Sequence, residues 1–193
     1  MSGLVQGKKY SDLEDYLFSL VRLRNREMEL VNKKIKDPIL AAFLTSKFDR
    51  AAEQRVDLIL TDRTELLTTL PDEVVQDMVV IIGNLLENAF AAVQGCNMQT
   101  VTLEMTETPR EISLCVWNSG PEISPELREH LFEDGVTTKE DGNGIGLYLV
   151  QQACTRNNGY ITLTSTPDDG TEFTVHLPIT KNEENANVPS TDC

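Results

Sequence analysis

Two asparagines four residues apart are the first residues of this chain whose types and spacing could do chemistry. Asn84 and Asn88 fall within residues 81–93. At helical spacing they share one face with Glu87 and the small Ala91 beside them. Asparagine is a middling helix former because its amide competes for backbone hydrogen bonds. A solvated helix face explains this pattern in isolation, but the combination also predicts a surface that receives a polar ligand.

A glycine-rich stretch is the second signal. Residues 142–147 read Gly-Asn-Gly-Ile-Gly-Leu and precede a predicted helix. Alternating glycines allow close backbone approach and can direct N–H groups at an anion near a helix N-terminus. No strand leads into the stretch and its third glycine comes too early for a dinucleotide fingerprint. No Gly-Lys-Ser/Thr follows, which excludes a P-loop. A purely structural loop is the alternative.

Two further segments carry weaker signals. Residues 116–123, Val-Trp-Asn-Ser-Gly-Pro-Glu-Ile, begin at a predicted strand end, where Asn118 could direct its amide into a cleft. Residues 169–173, Asp-Gly-Thr-Glu-Phe, form the other segment. Simple turns would explain both.

Helices and strands predicted around these segments define the fold. The central helix opens near Pro71 and buries an apolar stripe at spacings of three and four, formed by Met78, Ile82, Leu85, Ala89 and Val93. The other predicted helices cover residues 10–31, 37–54, 125–132 and 145–157, with Asp37 and Ser124 as caps. The predicted strands are 55–60, 100–105, 111–117, 160–165 and 171–177.

Alternating apolar residues in the strands predict an antiparallel sheet with one face covered by helices. The fold class is therefore α+β, a two-layer α/β sandwich rather than a doubly wound fold. We expect three parts: an N-terminal helical segment at 1–36, one domain at 37–180, and a disordered tail at 181–193, where the composition turns to Asn, Glu, Pro and Ser.

Composition excludes several classes of function. With 17 basic and 31 acidic residues, the formal charge is 17 − 31 = −14, which argues against nucleic-acid and anionic-membrane partners. No uninterrupted apolar run is long enough to cross a bilayer, and no secretory signal opens the chain. Four dispersed cysteines and two histidines argue against zinc and for reduced thiols. Cys115 and Cys154 are predicted to be small buried hydrophobes.

In combination and in this order, the four segments resemble the ATPase domain shared by sensor histidine kinases, type II topoisomerases, heat-shock chaperones and mismatch-repair proteins. The resemblance runs from about residue 71 to 178 and implies the Bergerat fold. Residues 84–89 resemble the N-box, 118–121 the first glycine box and Phe132 the F-box. Residues 142–147 resemble the second glycine box, and Gly170-Thr171 the third.

The histidine-kinase branch fits best. Residues 131–139, followed quickly by the glycine box, are similar to the citrate and C4-dicarboxylate sensor kinases, whose lid is short. Residues 10–16 and 37–47 resemble the segment that joins their dimerisation helices to the ATPase domain. The likeness implies that residues 1–36 are a remnant of a dimerisation helix and its linker, in the cytoplasmic portion of a membrane-bound sensor kinase.

The resemblance also implies roles for individual residues. Asn88 and Asn84 would hold Mg²⁺ through hard side-chain oxygens, and Asn118 would contact the adenine amino group. The remaining nucleotide-binding positions that it implies are Gly120, Lys139, Gly142, Gly144, Gly146, Leu147 and Thr171. The domain would bind ATP and deliver its γ-phosphoryl group to a histidine on a dimerisation helix, from where it passes to an aspartate of a response regulator. Catalysis would be positioning plus charge neutralisation.

Two departures from the family pattern bear on ATP binding. Asn118 stands where the family usually has Asp, which keeps an acceptor oxygen but loses a charge-assisted hydrogen bond. Glu122 replaces a glycine, and its side chain could either crowd the pocket or lie at its rim. We expect weak but real ATP binding.

A third departure concerns the phosphoryl acceptor. In the family it lies upstream of the segment that Leu4 to Tyr16 resemble, whereas His130 and His176 are predicted to be surface residues. We therefore expect that this polypeptide does not phosphorylate itself.

Other readings of the sequence stay open. A serine kinase of the anti-sigma-factor type shares these boxes, although the resemblance of residues 10–47 to the kinase linker argues against it. A degenerate nucleotide sensor or dimerisation module without kinase activity is favoured by Asn118 and Glu122. The leucine stripe of residues 10–31 either pairs with a second copy as a homodimer or packs back on its own domain.

Overall fold

The computed structural model describes residues 26–136 and 144–179. In chain order the helices are α1 (26–34), α2 (Pro38–Glu53), α3 (Asp72–Val93), α4 (Pro125–His130) and α5 (Gly146–Arg156). The strands are β1 (Asp57–Leu60), β2 (Thr100–Glu107), β3 (Glu111–Asn118), β4 (Tyr160–Thr166) and β5 (Gly170–Pro178). The predicted α+β class is confirmed. The tail at 181–193 and most of the predicted first helix lie outside the described residues.

The five strands form one sheet in the order β1-β2-β3-β5-β4. The prediction of an antiparallel sheet is wrong for one pair, because β1 runs parallel to β2, with Asp57 opposite Thr100. The other three pairs are antiparallel. The long crossover through α3 between β1 and β2 explains the difference, since a parallel pair needs such a connection.

Helix α3 is the centre of the core. Its buried residues include the predicted stripe and extend it, and they contact β2, β3, α2 and α5. Among the described helices, α3 alone is long and apolar enough to cross a membrane. The sequence alone predicts no apolar run of that length. The apolarity has a local cause here, because nine α3 residues are buried in the core of the domain.

The sheet has one covered and one open face. Along β3 every second residue is buried, from Ile112 to Asn118. Cys115 points to the open face and is only partly buried, so its predicted place in the core is wrong. Burial first, and then the neighbouring Glu172 carboxylate, raise the pKa of the Cys115 thiol to about 12. Cys154 on α5 is buried as predicted.

Local chemistry sets the helix ends. Asp37 Oδ1 accepts hydrogen bonds from the backbone N–H groups of Ile39 and Leu40, both at 3.0 Å. Ser124 Oγ accepts from the backbone N–H of Leu127 at 3.3 Å. Both predicted caps are confirmed, and they fix the starts of α2 and α4. Strand β1 begins two residues later than predicted because Arg55 has a φ of 60° in the turn that follows α2.

Candidate functional site

A cleft of about 410 Å³ lies between the polar face of α3, the segment after β3, α4, the start of α5 and the start of β5. This volume falls within the range of small-molecule sites in proteins. The residues that line it are Asn84, Glu87, Asn88, Ala91, Ala92, Asn118, Pro121, Ile123, Leu127, Leu131, Val136, Gly144, Ile145, Gly146, Leu147, Thr171 and Phe173. The walls are largely apolar, and polar groups converge at the two ends.

Asn84 marks one end of the cleft, beside the start of α5. Its Nδ2 donates a 2.8 Å hydrogen bond to the backbone carbonyl of Val80, one turn earlier on α3. This bond orients the amide and leaves Oδ1 next to Gly146, where a Cβ would stand 2.9 Å from that oxygen. The absent side chain of Gly146 therefore allows α5 to begin directly against Asn84. Asn88 lies one turn further along the same face.

The N-terminus of α5 faces this end of the cleft. Gly144 has a φ of +66°, and a Cβ there would meet the backbone of Gly135 and Val136 at 2.3–2.7 Å. A side chain at position 144 is thus excluded both by conformation and by space. The first N–H groups of a helix have no partner within it, and the helix dipole favours an anion beside them. This geometry suits a phosphate group.

Asn118 and Thr171 form the other end. They are paired residues of β3 and β5, and each is only 2% exposed. Asn118 Oδ1 accepts a 2.9 Å hydrogen bond from the backbone N–H of Gly120, and Asn118 Nδ2 donates to the carbonyl of Thr171 at 3.3 Å. These two bonds set the orientation of the amide. One lone pair of Asn118 Oδ1 and one N–H of Asn118 Nδ2 remain for a ligand.

Ser165 on β4 is a polar residue at this end that the sequence did not single out. Its Oγ lies 2.6 Å from Thr171 Oγ1 and accepts a 2.9 Å hydrogen bond from the backbone N–H of Ile123. Ser165 therefore joins the segment after β3 to the closing hairpin. A buried serine in a strand has no sequence signal of its own, since its partners lie 42 and 6 residues away.

Glu87 lines the cleft and is held by two basic residues of α2. Its Oε1 lies 2.7 Å from Lys47 Nζ and 2.9 Å from Arg50 Nε. Partial burial opposes ionisation of this carboxyl, but the hydrogen bonds and charges of Lys47 and Arg50 outweigh it and lower its pKa. The cleft wall thus carries an ionised carboxylate whose negative charge is offset by Lys47 and Arg50 of α2.

Gly120 and Glu122 flank the cleft without lining it. Gly120 is pressed against α3, where a Cβ would stand 2.9 Å from the carbonyl oxygen of Ala92. Glu122 turns away from the cleft and pairs with Arg128 of α4 at 2.5 Å. Of the two alternatives for Glu122, the structure supports the rim position.

Most of the predicted site residues come together. Seven of them line the one cleft: Asn84, Asn88, Asn118, Gly144, Gly146, Leu147 and Thr171. Lys139 and Gly142 lie outside the described residues. Neither histidine lines the cleft: His130 is exposed on α4 beside Glu133, and His176 stacks on Tyr160. The expectation that both are surface residues is right for His130, whereas His176 is partly covered.

The model of the family described as "Histidine kinase-, DNA gyrase B-, and HSP90-like ATPase" matches residues 73–181, more than half of the chain. The chain belongs to this ATPase family. The matched region contains all of α3 but its first residue and every lining segment of the cleft described above. The family is one of ATPases, so ATP is the nucleotide of this domain.

Curated relatives agree with the resemblance to sensor kinases. The chain is 32% identical over 176 residues to the sensor histidine kinase DcuS of Escherichia coli (strain K12), which covers 91% of this chain and 32% of that protein. It is 32% identical over 182 residues to a probable C4-dicarboxylate sensor kinase of Halalkalibacterium halodurans, covering 92% and 34%. The chain thus spans about a third of the length of these relatives. The predicted branch of the family is confirmed.

Solved structures share the fold. Full-length ShkA in complex with AMPPNP superposes with a TM-score of 0.61 at 23% identity, covering 86% of this chain and 36% of that one. The catalytic domain of the histidine kinase ThkA gives a TM-score of 0.60 at 23% identity, covering 72% and 90%. The predicted histidine-kinase-type ATPase fold is confirmed.

Proposed function

We propose that this chain is the ATP-binding catalytic portion of a sensor histidine kinase, in the cytoplasmic part of a membrane-bound receptor. The observation that carries the proposal is the convergence of Asn84, Asn88, Asn118, Gly146 and Thr171 on one cleft. These residues come from α3, β3, α5 and β5, and the family match covers all of them.

The two ends of the cleft suit the two ends of ATP. Asn118, whose amide is oriented by Gly120 and Thr171, offers an acceptor oxygen for the adenine amino group. The start of α5, with Gly144 and Gly146, offers backbone N–H groups to the phosphates. Lys139 and Gly142 would add to the phosphate end. The apolar wall between the ends would hold the base and ribose away from water.

The phosphate end also fits Mg²⁺. Its donors are the amide oxygens of Asn84 and Asn88, and hard oxygen ligands suit this ion, which keeps several waters and phosphate oxygens. Among the described residues, no group of three His, Cys, Asp or Glu side chains could hold a metal, so the ion would depend on these amides and on the nucleotide. When bound, Mg²⁺ neutralises charge on the phosphates.

The chain's contribution to phosphoryl transfer is to bind, orient and shield the nucleotide. Asn84 and Gly146 fix the phosphate end, and the apolar walls exclude water. The acceptor would be a histidine on the dimerisation helices of the parent kinase, because neither His130 nor His176 lines the cleft. The phosphoryl group would then pass to a response regulator. Nucleic acid is not among the proposed partners, given the charge of −14.

Transfer in trans tests the proposal. The chain is incubated with labelled Mg-ATP and a separately made dimerisation hairpin that contains the acceptor histidine. We expect acid-labile phosphohistidine on the hairpin and none when the hairpin histidine is replaced by glutamine. Binding of ATP without transfer would instead support the non-enzymatic module, and acid-stable phosphoserine on an added protein would support the serine kinase.

A further inference from the structure

Arg128 holds together three separate segments around the base end of the cleft. Its Nε donates to the carbonyl of Ile123 at 2.7 Å, and its Nη2 donates to the carbonyl of Ser165 at 2.6 Å and to Glu122 Oε1 at 2.5 Å. The guanidinium thus joins α4 to the segment after β3 and to the end of β4. Arginine suits this task because its planar group presents several donors in fixed directions.

Apolar packing fixes helix α4 only in part, through Leu127, which packs against the core, and Leu131 directly after the helix, which is buried. The helix is six residues long and contains no buried residue. Yet Leu127 on this helix and Leu131 directly after it form part of the cleft wall. Apolar contacts through two leucines leave the rest of this short helix to be held by polar contacts, and Arg128 supplies three of them.

The same contacts reach the residues that would hold the base. Ile123 and Pro121 line the cleft, and the backbone N–H of Ile123 donates to Ser165 Oγ. Ser165 Oγ lies 2.6 Å from Thr171 Oγ1, and Thr171 accepts the amide hydrogen bond of Asn118. A continuous set of hydrogen bonds therefore runs from Arg128 to the base end.

Arg128 also fixes the position of the Glu122 carboxylate. Glu122 follows a cleft-lining proline directly, and without a cationic partner its charge would be free to turn toward the cleft. The ion pair draws it to the rim, with about a third of each side chain exposed. An exposed ion pair adds little stability, so the pair matters here through the position it gives the segment.

We propose that Arg128 is a positioning residue for nucleotide binding: with Glu122 it forms a latch that holds residues 121–131 over the base. The proposal rests on the function proposed above. Loss of the latch should weaken binding of ATP and ADP alike, because the base end is common to both.

The test compares five chains by calorimetry with Mg-ATP and Mg-ADP: unaltered, R128A, R128K, E122G/R128A and R156A. We expect R128A to raise both Kd values about tenfold, and the added E122G substitution to recover part of the loss by removing the stray carboxylate. R128K should retain part of the affinity. R156A is the matched control, because Arg156 is also an exposed, ion-paired arginine, bonded to Asp77 between α5 and α3. It should leave Kd within twofold.

Amide hydrogen exchange without nucleotide separates the latch from the proposed function. R128A should speed exchange at residues 121–131 while α3 stays protected, and R156A should not. Unchanged Kd values with unchanged exchange in R128A would overturn the latch. If the unaltered chain binds no nucleotide, the proposed function fails, and the exchange comparison alone decides whether Arg128 orders this wall.

Discussion

Gly146 lies so close to Asn84 that a Cβ on this glycine would stand 2.9 Å from the amide oxygen Oδ1. The amide is not free to turn aside, because its Nδ2 is bonded to Val80. Gly146 of the second glycine segment and Asn84 of α3 are therefore in direct contact. Any side chain at position 146 acts on the asparagine that we propose to hold Mg²⁺.

The substitution Gly146→Ala should weaken Mg-ATP binding without unfolding the chain. Gly146 does not have a positive φ, so the backbone accepts alanine and the thermal midpoint should not fall greatly. The new methyl group must displace the Asn84 amide, and we expect Kd to rise about tenfold, which corresponds to about 1.4 kcal/mol. Calorimetry and thermal unfolding measure the two effects.

Gly83→Ala is the control for this variant. Gly83 is also a helix glycine, but a Cβ there would meet the Phe43 ring at 3.3 Å, away from the cleft. Its Kd should stay within twofold of the unaltered chain. An unchanged Kd in Gly146→Ala would contradict the role of the contact.

Removal of the Asn88 amide should abolish most of the magnesium dependence of ATP binding. For the unaltered chain we expect a lower Kd with Mg²⁺ than with EDTA. In Asn88→Ala the two values should approach each other, whereas Asn88→Asp keeps a hard oxygen and should keep the difference. Asn97→Ala, at an exposed position, should behave as the unaltered chain. An Asn88→Ala chain with full magnesium dependence would remove Asn88 from the metal site.

Asn118→Asp should strengthen ATP binding while it destabilises the free chain. A carboxylate at this buried position can still accept from the Gly120 N–H, but it places an oxygen against the Thr171 carbonyl that the amide now bonds. A buried acceptor left unpaired costs about 1–3 kcal/mol. The gain comes from a charge-assisted hydrogen bond to the adenine amino group.

Thermal unfolding with and without ATP checks this prediction. The midpoint of Asn118→Asp should be lower than that of the unaltered chain without ATP, and ATP should raise it more. Asn97→Asp adds the same charge at an exposed site and should show neither effect. Weaker ATP binding by Asn118→Asp would show that the amide hydrogen, rather than the lost charge, is what the base requires.

The ion cluster at Glu87 should make stability depend on pH. Lys47 and Arg50 lower the pKa of this carboxyl below its ordinary 4.5 despite its partial burial. The stabilisation is therefore present above pH 4.5 and is lost as the pH falls through the lowered pKa. Glu87→Gln should cost about 0.5–1 kcal/mol at pH 7, since the group is a third exposed and such pairs contribute little.

Urea unfolding at several pH values measures the loss. The difference in unfolding free energy between Glu87→Gln and the unaltered chain should stay nearly constant from pH 7 down to 4.5 and narrow as the pH falls further. Glu65→Gln, at an exposed position, is the control. Its difference in unfolding free energy from the unaltered chain should not change with pH. A gap that is constant with pH would assign the effect of Glu87→Gln to packing instead of charge.

Local patterns were sufficient to predict which residues of α3 share the face that lines the cleft. Asn84 and Asn88 share a face because of the helical period, and the caps at Asp37 and Ser124 follow from side-chain chemistry within three residues. Cys115 shows where such reasoning fails. Its place in an alternating strand fixes only which residues share its face, and both faces of β3 carry partly apolar residues.

Partners distant in sequence could not be predicted. The helical period places Glu87 beside the two asparagines of α3. Lys47 and Arg50 lie 40 and 37 residues away from Glu87 and contact it only because α2 packs on α3. The parallel pairing of β1 likewise depends on the crossover through α3. The rim position of Glu122 required the packing of α4, which no periodic pattern in its six residues determines.

Neither histidine of the chain should be needed for phosphoryl transfer. His130 is exposed and bonded to Glu133, and His176 stacks on Tyr160 at a centroid distance of 4.7 Å. Since neither lines the cleft, the variant His130→Gln/His176→Gln should bind Mg-ATP with an unchanged Kd and phosphorylate an added dimerisation hairpin at an unchanged rate. The unaltered chain, incubated with labelled ATP alone, should carry no acid-labile phosphate. Label on the unaltered chain that disappears in the double variant would identify an internal acceptor and refute the proposed transfer to a separate helix.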